Sequence, residues 1–164
     1  MARLPHPVMC HIASFTMSLG LLVAAFNALA SKPLDQRLLR CDYSDVALLG
    51  KAVTRGPGWR VAGLTIHVVN GAIFGLVFHE LRRGRRLDSR RLALGMALGE
   101  HVGLYPLSYF VDRWHPARGE PGVPPLLTNP RAFAQATWRH VLFGVVLGRL
   151  SERYELRDPT PGRS

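Results

Sequence analysis

The amino-acid sequence predicts an all-α fold, an integral membrane four-helix bundle with a short amphipathic helix between spans one and two. Charged residues make up 20% of the 164 residues, but they are concentrated in the connections. Residues 8–31 and 61–78 contain no Asp, Glu, Lys or Arg, and residues 92–111 and 132–148 contain one each. A helix on a soluble surface needs a charged face, and one small domain cannot bury four helices that lack one. Each run is about the 20 residues that cross roughly 30 Å of hydrocarbon.

The chain, residues 1–164, is predicted to form a single transmembrane domain, in which residues 151–164 are a polar tail. Its predicted spans are residues 8–30, 59–81, 91–111 and 131–150. The sequence Ala28-Leu29-Ala30 is typical of a signal-peptidase site. The long apolar run and its polar residues, such as His11 and Thr16, favour a retained anchor, with cleavage as the alternative.

The first connection, residues 31–60, contains a segment with apolar residues on one helical face and charged residues mostly elsewhere. Such a pattern predicts an amphipathic helix that lies on the membrane interface, or a helix packed on the end of the bundle. The apolar face is formed by Leu34, Leu38, Cys41 and Leu49.

The arginines predict the orientation of the chain. The turn at residues 82–86 is short and rich in arginine, so it should be cytoplasmic, and both termini with it. Residues 31–60 are also basic, which weakens this assignment. Pro106 lies inside the third span, where a kink is expected. Residues 112–130 form a Pro/Gly-rich loop that returns to span four.

Glycines recur at four-residue spacing in three of the spans. Small residues at this spacing allow helix backbones to approach closely in lipid. They predict a tightly packed bundle, and a homodimer face would use the same residues. The glycines are Gly71, Gly75, Gly95, Gly99, Gly103, Gly144 and Gly148.

A belt of polar residues is predicted in the middle of the bundle. Glu100 and Arg139 are the lone charges of their spans, and counting from Arg91 and Arg149 places both about 14 Å above the cytoplasmic boundary. A buried charge in lipid costs at least about 3 kcal/mol, so the two are expected to form an ion pair. Since arginine cannot lose its proton, removing Glu100 is predicted to be the more damaging change. The full predicted belt is His67, Asn70, Glu100, His101, Tyr105, Arg139 and His140.

The sequence contains no familiar enzyme or cofactor signature. His67, Glu100, His101 and His140 could in principle form a metal site, but no His-x-x-x-His or Glu-x-x-His spacing supports one. We therefore predict no metal, no cofactor and no catalytic residue. The net charge of +10 is better explained by arginines next to anionic headgroups than by nucleic acid. His6, His79 and His115 are predicted to be surface residues.

One resemblance can be stated. His67-x-x-x-Gly71-x-x-x-Gly75, the dipeptide Glu100-His101 and the run FAQATWRHVLFGVVLG are similar to small four-span bacterial membrane proteins of the YagU-like inner-membrane family. The resemblance implies a bacterial inner-membrane protein without an assigned activity.

Two classes of function are consistent with the sequence. The belt of an accessory or structural protein would only hold the helices together in the bilayer, in a monomer or a homo-oligomer. A small transporter or proton-coupled, channel-like protein would use Glu100, His101 and His140, because intramembrane ionisable groups commonly form ion and proton paths. An enzyme acting on lipid headgroups through residues 112–130 is a third, weaker alternative.

Overall fold

The computed structural model describes residues 17–26, 32–83, 85 and 87–157, and within these ranges every regular element is a helix. The predicted all-α class is confirmed for this part of the chain. The ends of span one, with the cleavage question, and the tail from residue 158 lie outside the described residues. The helices are α1 (Met17–Phe26), α2 (Lys32–Leu39), α3 (Asp45–Val53), α4 (Trp59–Arg82), α5 (Ser89–Leu104), α6 (Ser108–Trp114) and α7 (Pro130–Arg157).

Of the described helices, α4 alone is long and apolar enough to cross a membrane by these criteria, with 24 residues and a mean hydropathy of 1.9. Helix α5 ends at Leu104, where the short 3₁₀ helix Tyr105–Leu107 interrupts it at the predicted kink. Gln135, Arg139 and His140 lower the hydropathy of α7. Helix α4 also differs from the core helix of a soluble protein, because only 28% of its most apolar stretch is buried.

Helices α1 and α4 cross at glycines. A Cβ atom added at Gly71 would lie 2.4 Å from the Cβ atom of Ala24, and one added at Gly20 would lie 3.2 Å from the Cα atom of Gly75. Two backbones can approach this closely only where side chains are absent or small. Gly71 and Gly75 therefore pack as the sequence predicts, with Gly20 as an additional partner.

Helices α5 and α7 form the second glycine contact. Gly144 faces Leu94, and Gly148 faces Arg90, so the helices run antiparallel. The contact continues past the predicted end of the span, where the Nε atom of Arg90 donates to the Oε2 atom of Glu152 over 2.6 Å. The glycines of α5 behave differently. Added Cβ atoms at Gly95, Gly99 and Gly103 would have nothing within 4 Å among the described residues, so these three pack no helix here.

One buried cluster joins α1, α4, α5 and α7. Its members are small or aliphatic side chains and one aromatic ring, which none of the four helices could bury alone. They are Leu19, Val23, Phe78, Ala93 and Leu147. This cluster fixes the relative positions of the four helices at the end of the molecule that holds the arginine-rich turn.

At the other end, α3 and residues 115–129 form a cap. Ala47 of α3 packs against Ala117 and Val123. The amide of Ser44 donates to the carbonyl of Gly122 over 3.0 Å, and Lys51 donates to Glu120 over 3.1 Å. The predicted Pro/Gly-rich loop therefore packs firmly on the first connection.

His115 belongs to this cap and is buried, so its prediction as a surface residue is wrong. Its Nε2 atom donates to the carbonyl of Leu48 over 2.9 Å, and its Nδ1 atom accepts from the amide of Ala117 over 3.1 Å. A single imidazole thus satisfies one backbone group on each side of the cap.

The apolar face predicted for the first connection is divided, because Leu34 and Leu38 of α2 are exposed whereas Cys41 is buried. Asp35 is 1% exposed and faces α7, whereas Leu38 is 73% exposed. The first connection is also two helices rather than one, because Arg40 has a φ of 48° and ends α2. The leucines of α2 therefore face outward, and its carboxylate faces inward toward Arg139.

Candidate functional site

A cavity of about 360 Å³ lies between α3, α4, α5 and α7, under the cap. Its polar lining contains all seven residues of the predicted belt, together with residues that the sequence reasoning did not select. The belt residues are His67, Asn70, Glu100, His101, Tyr105, Arg139 and His140. The belt therefore surrounds a space rather than filling it, and its functional role stays a prediction.

The predicted ion pair between Glu100 and Arg139 is not formed. The contacts of Gly144 with Leu94 and of Gly148 with Arg90 place residue 139 about level with residue 99, so Arg139 and Glu100 lie at nearly the same level. The two side chains contact different helices: Arg139 bonds to α2 and α3, and Glu100 bonds to α4. The level of a residue along its helix follows from counting residues. The direction in which its side chain points around the helix axis depends on which neighbouring helix that face contacts.

Arg139 is held by two carboxylates. Its Nε atom donates to Oδ2 of Asp35 over 2.5 Å, and its NH1 atom donates to Oδ2 of Asp45 over 2.7 Å. Its NH2 atom donates to Oδ1 of Asp35 over 3.2 Å and to the carbonyl of Tyr43 over 3.1 Å. A buried guanidinium is tolerated when its donors are paired in this way. The site is a charge cluster that ties α2 and α3 to α7.

On the side of the cluster nearest the cap, burial and neighbouring charges shift the pKa values of Asp45 and Tyr43. Burial raises the pKa of Asp45, but the Arg139 guanidinium, His67 and the Tyr43 hydroxyl together more than offset that effect, and the pKa falls from 3.8 to about 2. Burial, together with the Asp45 carboxylate, raises the pKa of Tyr43 well above its ordinary value. The Tyr43 hydroxyl accordingly stays protonated and donates to Oδ1 of Asp45 over 2.7 Å.

Asp35, Tyr43, Asp45 and Gln135 were missed by the sequence reasoning. Gln135 is fully buried, and its Nε2 atom donates to Oδ1 of Asp35 over 2.9 Å. Two signals in the sequence could have found this group. Gln135 and Arg139 are four residues apart and share one face of α7. The first connection also carries Asp35 and Asp45, acids that could have been weighed against Glu100 as partners for the arginine.

His101 and His140 form a stacked pair with ring centroids 4.8 Å apart. The Thr137 hydroxyl donates to the carbonyl of Phe133 over 2.8 Å, so its oxygen accepts from Nε2 of His101 over 2.9 Å. The Nδ1 atom of His140 donates to the carbonyl of Ala136 over 2.8 Å. In neutral rings the other nitrogens, Nδ1 of His101 and Nε2 of His140, then carry lone pairs. The pair thus combines two opposite tautomers.

Glu100 is less constrained than Arg139. Within the described part of the chain its hydrogen bond comes from Nδ2 of Asn70 over 3.4 Å, which is long for such a bond. The carboxylate is half-buried at the cavity wall. It retains the capacity to accept further hydrogen bonds or a proton.

The rest of the lining is apolar and aromatic. Phe74 and Phe143 meet edge to face with ring centroids 5.0 Å apart. Phe133 lies 4.8 Å from both the His101 ring and the Tyr105 ring. The hydroxyl of Tyr105 donates to the carbonyl of Leu127 over 2.6 Å, which connects the cavity to the cap.

No arrangement of three or more His, Cys, Asp or Glu side chains suited to a metal ion occurs among the described residues. Two of the three belt histidines have other partners, since His101 bonds to Thr137 and His140 bonds to the carbonyl of Ala136. The arrangement can accept protons and hydrogen bonds from a bound molecule, and it offers aromatic faces on either side.

Comparisons with protein-family models, curated proteins and solved structures found no match for this chain.

Proposed function

We propose that this chain is a four-span, channel-like membrane protein of the bacterial inner membrane that conducts protons along the belt and binds a small amphipathic molecule in the cavity. The cavity is the observation that carries the proposal. An accessory protein needs a polar network that closes the gap between its helices, and a 360 Å³ space lined by the whole belt does not close it. The resemblance to YagU-like inner-membrane proteins stays a prediction beside it.

The distribution of polarity supports placement in a bilayer. Charged and polar groups such as Asp35, Gln135 and Arg139 are buried, whereas large apolar side chains such as Leu22, Val61 and Ile73 are exposed. Water favours the reverse arrangement, and hydrocarbon favours this one. Helix α2, with its carboxylate inward and its leucines outward, then contacts lipid through those leucines.

The cap supports a topology of four spans. With spans at α1, α4, α5 and α7, the first connection and residues 112–130 must lie on the same side of the bilayer. These two segments are in direct contact through Ser44 and Gly122. The arginine-rich turn then lies on the opposite side, where the positive-inside rule predicts the cytoplasm, with both termini.

Glu100 is the proposed proton-exchanging group. It is the acidic residue of the cavity that no described cation pairs with, whereas Asp45 is held by Arg139. The His101–His140 pair lies beside it on the cavity wall and can relay protons through its two free nitrogens. Ionisable groups in this setting serve proton relays in many membrane transporters.

Proton movement in liposomes tests the proposal. Purified protein is reconstituted with a trapped pH-sensitive dye, and an inside-negative potential is imposed with potassium and valinomycin. We expect wild type to acidify the lumen faster than empty liposomes. Glu100→Gln should abolish the difference, and the control Glu80→Gln, at the end of α4, should retain it. Equal rates for wild type and empty liposomes would contradict the proposal and favour the accessory protein.

A further inference from the structure

The formal charges around the cavity do not balance. Among the described residues, the cavity and its surroundings hold three carboxylates, Asp35, Asp45 and Glu100, and one guanidinium that faces them, Arg139. When His67, His101 and His140 are uncharged, these four groups carry a net charge of −2. Low-polarity surroundings make such an excess costly, so the cavity is most stable with a cation inside it.

We infer that the cavity binds a small lipophilic cation, a protonated amine with an aromatic body, and that Glu100 is its counter-ion. The inference rests on the proposed function and names the chemical class of its ligand.

Arg139 does not make the cavity a favourable site for an anion. Four hydrogen bonds from Arg139 go to Asp35, Asp45 and the carbonyl of Tyr43. An anion would compete with the two carboxylates for these donors, and a displaced carboxylate would lose its cation. Glu100, by contrast, is bonded only weakly by Asn70 and can receive an ammonium group without breaking an ion pair among the described residues.

The remaining lining fits an aromatic body. Phe74 and Phe143 form one edge-to-face pair, and Phe133, His101 and Tyr105 form a second aromatic group. Aromatic faces attract cations as well as apolar surface, with about 0.5–2 kcal/mol for a close cation. Leu104 and Leu107 add aliphatic surface. The volume of about 360 Å³ is at the lower end of small-molecule sites, which suits a ligand with one or two rings.

A charge series on one molecular body tests this inference. The full-length protein in detergent is titrated with 4-phenylbutylamine, 4-phenylbutanol and 4-phenylbutyrate at pH 7, and binding is measured by calorimetry. These probes share a ring and an alkyl chain and differ in carrying a positive charge, no charge or a negative charge. We expect the amine to bind at least about tenfold more tightly than the alcohol, and the carboxylate to bind more weakly than both.

Two variants distinguish a direct contact of the ligand with Glu100 from an effect of the protein's net charge. Glu100→Gln should lower the affinity for the amine about tenfold and leave the affinity for the alcohol within about twofold. Glu80→Gln removes the same charge outside the cavity and should change neither. If the alcohol binds as tightly as the amine, or if Glu100→Gln leaves the preference intact, the inference is wrong while the binding function stands. If none of the three probes binds wild type, both are wrong.

Discussion

The guanidinium of Arg139 donates hydrogen bonds to both carboxylate oxygens of Asp35, a residue 104 positions away in the sequence. The distances are 2.5 Å from Nε to Oδ2 and 3.2 Å from NH2 to Oδ1. Asp35 is 1% exposed. This contact buries a charged residue of α2 and replaces the predicted pair of Arg139 with Glu100. The stability of the protein should therefore depend on Asp35 more than on Glu100.

A double-mutant cycle tests whether Asp35, rather than Glu100, is the partner of Arg139. Asp35→Asn and Arg139→Gln should be non-additive, with a coupling of about 1–3 kcal/mol in thermal unfolding in detergent. Glu100→Gln combined with Arg139→Gln is the matched control and should be additive within about 0.5 kcal/mol. Arg139→Leu should be harsher than Glu100→Leu, because it leaves the buried Asp35 and the partly buried Asp45 without their cation. Strong coupling of Arg139 with Glu100 would show that the predicted pair forms after all.

Acid should weaken the protein through Asp45. Its pKa is lowered from 3.8 to about 2 in the folded state. A depressed pKa contributes stability above the unfolded value, and that contribution is lost as the pH falls through the folded value. We expect wild type to lose about 2 kcal/mol between about pH 4 and pH 2 from this group. Asp45→Asn should be less stable at pH 7 and should show a shallower loss over that range. Parallel pH profiles for the two proteins would contradict the assignment.

Two matched glycine substitutions test the helix contacts. At Gly144 an added Cβ atom would lie 2.8 Å from the Cα atom of Leu94, whereas at Gly99 nothing lies within 4 Å among the described residues. Gly144→Ala should cost about 1–3 kcal/mol because a backbone must move. Gly99→Ala should be neutral or stabilise by up to about 1 kcal/mol through helix propensity. A comparable loss for Gly99→Ala would indicate that Gly95, Gly99 and Gly103 pack against a second copy.

The tautomers of the stacked histidines can be observed directly. Nitrogen-15 spectra of the protein at neutral pH should show His101 protonated on Nε2 and His140 protonated on Nδ1. Thr137→Val removes the oxygen that accepts from His101 and should shift His101 toward a mixture of tautomers. Thr65→Val, on the exposed side of α4, is the control and should leave the spectrum unchanged. A His101 ring that is already mixed in wild type would contradict the geometry.

Residue counting predicted several features correctly. The interruption of the α-helix at Pro106 requires only the missing amide and the ring of proline. The close approach at Gly71 and Gly144 requires only that no side chain stands between the backbones. The equal depth of Glu100 and Arg139 follows from the rise per residue. These features depend on short stretches of chain, so the sequence was sufficient for them.

The contacts between residues that are distant in the sequence could be found only from the structure. Asp35 and Arg139 meet because α2 folds back beside α7, and nothing local to either residue predicts that path. The outward leucines of α2 follow from the same contact, since a helix that turns its carboxylate inward must turn its apolar residues toward the surroundings. The cavity is likewise a property of four helices and the cap together.

The rate of modification of introduced cysteines tests the central claim, that water can reach a cavity inside a membrane-embedded bundle. Asn70 lines the cavity, whereas its neighbour Val69 is 51% exposed on the outer surface and does not line it. In a background with Cys10→Ala and Cys41→Ala, native membranes carrying Asn70→Cys or Val69→Cys are treated with a membrane-impermeant maleimide. Thiols react as thiolates, which form in water and not in hydrocarbon. We predict that Asn70→Cys reacts at least about tenfold faster than Val69→Cys, because water reaches the first and lipid covers the second. Equal rates would contradict the account: both fast would place α4 in water, and both slow would show a belt without water.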